Sequence, residues 1–246
     1  MLPMAAAAAG LALWAAVWSS GVFPKSAFPS PGEVLGAFVG ELRSGRMVTD
    51  LSTSLFRVSM GFLLAVAAGV PIGLWLGQKL IARIAFLPVL NFFRNLSPLA
   101  WTPFAILWFG VGDAAAIFLI FLSAFFPVVL TAMAAVANIP TIFFCVAESY
   151  GLRGFEKMIR VTLPAIMPQL VTMLRVTAGL CWLVVVAAEM IAGRDGLGFA
   201  VMDSRNGLRM DLLGSEMIVI GLIGVLLDRV LVLLARIPSV RWSYEW

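Results

Sequence analysis

The chain has 246 residues, 62% of them apolar and 12% charged, against about 45–50% and about 25% in an ordinary soluble domain, so a water-soluble fold is excluded. The formal charge of +4 comes from 17 Lys and Arg dispersed among apolar runs, which make no basic stripe for nucleic acid. His is absent, Cys145 and Cys181 are the only cysteines, and no Gly-Lys dipeptide occurs; His-based triads, His-rich metal sites, a disulfide framework and a P-loop are thereby removed.

An ionised side chain at the bilayer centre costs at least about 2.5–3.5 kcal/mol, so stretches between successive charges locate spanning helices. Residues 1–24, 58–78 and 114–147 carry no charge; 84–112 is interrupted by Arg94 alone, 161–188 by Arg175 alone, and 212–235 by Glu216, Asp228 and Arg229. Six spans of about 20 residues use roughly half the length. The expectation is an all-α integral membrane protein, one transmembrane domain over 1–246, with spans at about 4–22, 56–78, 86–110, 114–137, 165–190 and 213–235. There is no room for a large soluble domain.

The first run also has the outline of a secretory signal, Ala5 to Trp18 followed by Ser19, Ser20 and Gly21, but without a basic n-region, which favours a retained helix. Charge leaves the orientation open. Lys79, Arg83, Arg153, Lys157, Arg160, Arg236 and Arg241 fall on one face, and Lys25, Arg43, Arg46, Arg57, Arg194, Arg205 and Arg209 on the other.

Ser30-Pro31-Gly32-Glu33 predicts a helix start with a capping box. Val34, Leu35, Phe38 and Leu42 then follow at helical spacing, as in a short helix along the interface. In the second span Ala65, Gly69, Gly73 and Gly77 recur every four residues, a smooth ridge that lets another helix approach closely. Arg94 lies 11 residues after Arg83, about 16 Å along a helix, and is therefore deep in the membrane. Pro98 and Pro103 follow it and break the helix, freeing carbonyls that must line a cavity or bond to neighbours. A buried cation beside a broken helix suits an anion-permissive site, or it ties helices together.

After 34 uncharged residues, 114–147, the segment 138–164 brings Glu148, Arg153, Glu156, Lys157 and Arg160 and must lie in water. Pro140 opens one short helix, Gly151 ends it in a left-handed conformation, and Leu163-Pro164 is expected to stop the helix that follows. On that second helix Arg153, Glu156, Lys157 and Arg160 share a face, with Phe155, Met158 and Ile159 away from it. Periodicity alone fits a docking knob and a solvated loop equally. Arg175 and Glu189 are 14 residues apart, roughly 21 Å along one helix, and cannot pair with each other. Snorkelling accounts for Arg175, and hydration near the outer surface for Glu189.

Ala147, Gly151 and Val161-Thr162-Leu163-Pro164, with the valine ten residues after the glycine, resemble the Glu-Ala-Ala…Gly…Ile-x-Leu-Pro loop of importer-type ABC permeases of bacteria. Cys145 occupies the position of the motif's acid, and Glu148 stands three residues later. Arg94-Asn95-Leu96-Ser97-Pro98-Leu99-Ala100-Trp101-Thr102-Pro103, continuing through Ala105-Ile106-Leu107-Trp108-Phe109-Gly110, is similar to a segment of the nitrate, sulfonate and taurine permeases, with Asn95 and Ser97 in place of two prolines. Ala187-Ala188-Glu189-Met190-Ile191 and Gly196-Leu197-Gly198-Phe199 resemble the same subfamily.

That resemblance implies a type I ABC importer fold in the inner membrane of a bacterium: two copies of the permease side by side, cytosolic ATPases that bind ATP and Mg²⁺, and an external binding protein. It implies cytoplasmic termini and no cofactor or catalysis in this chain. Coupling to the ATPase then falls to Cys145, Ala147, Glu148, Gly151, Arg153, Glu156, Lys157, Arg160, Leu163 and Pro164. The translocation path falls to Arg94, Asn95, Ser97, Pro98, Trp101, Thr102, Arg175 and Glu189. The solute implied is a small anion, an alkanesulfonate, taurine, nitrate or bicarbonate, with a thiamine-precursor permease as the alternative within the class. A self-contained carrier would want paired intramembrane acids and internal repeats, and an intramembrane hydrolase a Gly-x-Ser-x-Gly or metal motif. Both are disfavoured.

Overall fold

The computed structural model describes residues 2–22, 24 and 27–234. Lys25, Arg236 and Arg241, counted in the charge balance, and residue 235 of the last expected span lie outside them. The described residues form helices and connecting turns: α1 Leu2–Ser19, α2 Pro31–Ser44, α3 Arg46–Gln78, α4 Leu80–Asn95, α5 Thr102–Phe109, α6 Asp113–Ala137, α7 Thr141–Ser149, α8 Gly154–Lys157, α9 Leu163–Ala192, α10 Leu197–Asn206 and α11 Met210–Leu234.

Four helices are long and apolar enough to cross a bilayer, namely α3, α6, the continuous run Gly154–Ala192 and α11; α4 with the segment Pro98–Phe109, bent by 84°, would make a fifth. α1 contributes a shorter apolar stretch over Ala8–Ser19. α6 is the axis of the fold. Leu119, Ile120, Val128 and Val129 on it are fully buried, because α3 and α9 pack on it along most of its length and α4 and α5 cover what remains. α2 starts with the capping box that the sequence predicts: the Glu33 N–H donates to Ser30 Oγ at 3.1 Å and the Ser30 N–H to Glu33 Oε2 at 2.7 Å. Val34 fixes it by packing against Gly214 of α11.

The glycine ridge of α3 is the seam with α6. A Cβ on Gly69 would lie 2.8 Å from Val128, one on Gly73 2.6 Å from the Ala132 Cβ, and one on Gly77 2.6 Å from the Val136 Cβ. Gly61 continues the ridge against Ile120, where the distance would be 2.7 Å. With no side chain at these positions the two backbones come within van der Waals reach, and dispersion takes over the role that hydrophobic exclusion has in water.

Two expectations are corrected, and one further helix appears. The helix carrying the second span begins at Arg46, ten residues before the expected start at 56, because the charges of Asp50 and Arg57 are buried in protein. Leu163-Pro164 does not stop a helix, since the run from Gly154 continues to Ala192. Pro164 lacks an N–H and its ring crowds the carbonyl four residues back. A π turn over Met158–Thr162, in which the Leu163 N–H reaches the Met158 carbonyl, widens the helix there so that the chain passes the proline unbroken. α10, which hydropathy does not mark, is a separate helix of 10 residues between α9 and α11.

Candidate functional site

Two constellations stand at opposite ends of the α9 axis. At the end where α9 begins, α7 and α8 meet at a corner. α7 closes with a paired C-cap: the Gly151 N–H donates to the Glu148 carbonyl at 2.9 Å and the Leu152 N–H to the Ala147 carbonyl at 3.0 Å. Gly151 has φ +74°, the left-handed geometry this motif needs, which glycine adopts without a Cβ penalty. Ala147 is buried under the corner, while Cys145 is exposed.

The two short helices are tied by Lys157, whose Nζ donates to Glu148 Oε1 at 3.0 Å and lies 5.5 Å from the centre of the Phe144 ring. Glu148 thus makes an ion pair across the corner from its own position. Arg160 pairs with Glu156 at 3.2 Å one turn away. Arg153 and Pro164 are exposed and Leu163 is half-buried. Phe155 is 70% and Tyr150 82% exposed, so apolar and charged groups project together from the knob. Beside it a cavity of about 830 Å³ opens between the end of α6, α7 and the start of α9, with Asn138, Ile142, Phe143, Arg160 and Gln169 in its wall.

At the other end of α9 sits a buried ion cluster. Arg57 of α3 is 1% exposed and Glu189 of α9 fully buried. The Arg57 guanidinium donates to Glu189 Oε1 at 2.9 Å, to Asp113 Oδ1 at 2.7 Å, to the Asp195 carbonyl at 2.9 Å and to the Asp195 carboxylate. One side chain therefore joins α3, the first residue of α6, α9 and the turn before α10. Planar, permanently charged and with five donors, Arg is suited to several acceptors at once.

The acids and Ser54 in turn hold the start of α10. The backbone N–H groups of Gly196, Leu197 and Gly198 donate in succession to Asp50 Oδ1, Ser54 Oγ and Glu189 Oε2, each at 3.0 Å. Ser54 Oγ also donates to Glu189, at 2.8 Å. A Cβ on Gly196 would come within 2.5 Å of Glu189 Oε1, and one on Gly198 would collide with the Val186 carbonyl. The Gly-Leu-Gly run is glycine because a carboxylate and a helix backbone occupy the space a side chain would need. The far end of α10 is secured by Arg46 to Asp203 at 2.6 Å and by Ser204 to Glu216 at 2.9 Å. Glu189 is thus fully buried among protein groups rather than hydrated, correcting the expectation from its position. Arg57, which from sequence counts only among the charges of one face at the start of the second span, is the central residue.

The remaining residues assigned to a path are not gathered into one place. Arg175 is engaged by Asp228 of α11 at 2.8 and 3.0 Å in a half-exposed pair rather than standing free. Arg94 closes α4 at the bend, exposed together with Asn95 and Ser97, and makes no ion pair among the described residues. Pro98 opens a 3₁₀ turn, Trp101 stacks loosely on Phe93, Phe104 and Trp108, and the buried Thr102 hydroxyl donates to the Leu99 carbonyl at 2.7 Å. No group of His, Cys, Asp or Glu that could hold a metal occurs among the described residues.

Residues 69–242 match the family described as binding-protein-dependent transport system inner membrane component. The chain is 30% identical over 237 residues to the putative aliphatic sulfonates transport permease of Bacillus subtilis (strain 168), covering 96% of this chain and 86% of that one. It is 35% identical over 179 residues to the nitrate import permease of Leptolyngbya laminosa, covering 73% and 64%. In fold it is similar to a chain of the methionine ABC transporter MetNI in an inward-facing conformation, with TM-score 0.61, 21% identity, and 80% of this chain and 99% of that one covered. The chain belongs to the family of inner membrane components of binding-protein-dependent transport systems, as a permease subunit of an ABC importer with the type I fold.

Proposed function

We propose that this permease carries a small anion of the alkanesulfonate, taurine, nitrate or bicarbonate type, as a homodimer in the inner membrane with both termini in the cytoplasm and six spans per copy, α1 and the bent α4–α5 pair each counting as one. The observation that carries the solute class is Arg94. A cation at a break in a membrane helix, exposed in the single chain and without an ion pair among the described residues, demands a neighbour that is protein, water or an anion, since lipid would not tolerate it. The similarity to sulfonate and nitrate permeases supports the same class. Reconstituted with its ATP-binding subunit and binding protein, the complex is expected to take up taurine or nitrate on ATP addition. Arg94→Gln should lower that uptake about tenfold or more while the complex still co-purifies; loss of a charged partner is of order 1.5–3 kcal/mol. Unchanged uptake would exclude Arg94 from the path, and failure of all four anions would exclude the solute class.

In the same reading the α7–α8 corner seats in the ATPase, with the exposed Arg153 and Arg160 facing its acids and Lys157 tying the corner together through Glu148. Gly151→Val forces a β-branched residue into φ +74°, at a cost of at least about 1–2 kcal/mol, and should deform the corner without touching the bundle. Stimulation of ATP hydrolysis by loaded binding protein is then expected to fall while the thermal unfolding of the membrane region stays put. Normal stimulation would show that the corner is a solvated connection.

A further inference from the structure

A smaller cavity, of about 400 Å³, lies at the corner end of the bundle, between the α3–α4 turn, the end of α6 and the α7–α8 corner. Its polar wall is made by Arg83, Lys157, Gln78 and Thr141, and its apolar wall includes Leu80 and Phe144. No acid lines it. Arg83 makes no ion pair among the described residues, and Lys157 keeps two of its three donors after meeting Glu148. α4 and α7 both begin at this cavity, with Leu80 and Thr141, and neither start has a side-chain cap, so backbone N–H groups there remain as further donors.

The surroundings identify the kind of anion. From the mouth of the cavity α4 presents Leu80, Ile81 and Ile84, exposed by 58%, 86% and 64%, a face made for acyl chains. Lys79, next to them, lies over Trp75 at 5.3 Å, an amphipathic pair of the kind that marks the membrane interface. A pocket with two cations at headgroup depth, continuous with an apolar helix face, meets a phosphate on one side and its lipid tails on the other.

We propose that this cavity binds the phosphate of an anionic phospholipid headgroup, held by Arg83 and Lys157 beneath the α7–α8 corner. The site is separate from Arg94 and from the ion cluster at the other end of the bundle, and its existence does not depend on the solute carried. An occupied headgroup would brace the corner against α4 through Lys157, which bonds Glu148 as well.

The test is retention of phosphatidylglycerol by the full-length chain, purified in detergent and read by native mass spectrometry, against phosphatidylcholine and against inorganic phosphate. Retention of phosphatidylglycerol alone is expected. Arg83→Gln should reduce it about fivefold, the effect of one cation at the surface, and Arg83→Lys should restore most of it. Gln78→Glu, which puts an acid into the cavity and does not depend on the behaviour of the Arg83 variant, should lower it as well. Equal retention of phosphatidylcholine, or wild-type retention in both Arg83→Gln and Gln78→Glu, overturns the site. Binding of inorganic phosphate that is lost in the same variants, without lipid retention, overturns the lipid source. Displacement of the lipid when the ATP-binding subunit is added shows the cavity to be that subunit's seat, and overturns the proposal.

Discussion

Arg57→Met is expected to be strongly destabilising, and Arg57→Met combined with Glu189→Gln is expected to be milder than Arg57→Met alone. With Arg57 gone, the fully buried Glu189 keeps only the Ser54 hydroxyl and the Gly198 N–H. Removing one partner of a buried pair leaves an uncompensated charge and costs about 3–5 kcal/mol. A neutral Gln at 189 removes the charge and still offers an oxygen to the Gly198 N–H, so much of the loss should return. Glu189→Gln alone leaves Arg57 with Asp113 and Asp195 and should cost less than Arg57→Met. Thermal unfolding of the purified chain in detergent, measured on all four members of the cycle, gives the ordering. If the double variant is as damaged as the sum of the single ones, the pair is not coupled and the cluster is only a set of independent contacts. The same substitution releases the α9–α10 turn, so proteolysis near Asp195 should accelerate alongside the loss of stability.

The cluster also shows where the sequence stops being legible. Apolar runs locate α6 and α9 within a few residues because their signal is one-dimensional: each run is long, and water cannot solvate it. The corner at Gly151 is equally local, since the capping geometry is settled by residues 147–152. Arg57 is different. Its partners lie 56, 132 and 138 residues away, and nothing in its own neighbourhood separates a charge that sits in water from one that is wrapped in carboxylates. Treating every charge as a boundary therefore starts the span at 56, cutting α3 short by ten residues and leaving Asp50 outside it. Glu189, near the end of its span, reads from sequence as hydrated, and the Gly-Leu-Gly run shortly after it is the local trace of its burial: two glycines two residues apart fit a carboxylate pressed against a helix start. Pro164 does not end the helix for a different reason: a π turn, which depends on hydrogen bonds and not on composition, carries the helix past it.

Gly73→Leu is expected to abolish the folded bundle. The ideal Cβ alone would sit 2.6 Å from the Ala132 Cβ, 2.7 Å from the Val129 carbonyl oxygen and 3.2 Å from the Met133 backbone nitrogen. Two of these three atoms belong to the α6 backbone and cannot swing aside as the end of a side chain would. Overpacking a well-filled core costs about 1–3 kcal/mol even where side chains give way, and here three more carbons must enter after the first has already collided. α3 can accommodate them only by moving off α6 along its length, which opens the contacts at Gly69 and Gly77 together with that at Gly73. Gly73→Ala should already lower the unfolding temperature, and Gly221→Leu on α11, where nothing lies within 4 Å of the added Cβ, serves as the control for a leucine in a membrane helix. Monodisperse elution and unfolding of each variant in detergent separate the cases. If Gly73→Leu elutes and melts with the wild type while Gly221→Leu does the same, α3 and α6 are free to part, and the ridge is not the seam on which the helices are assembled.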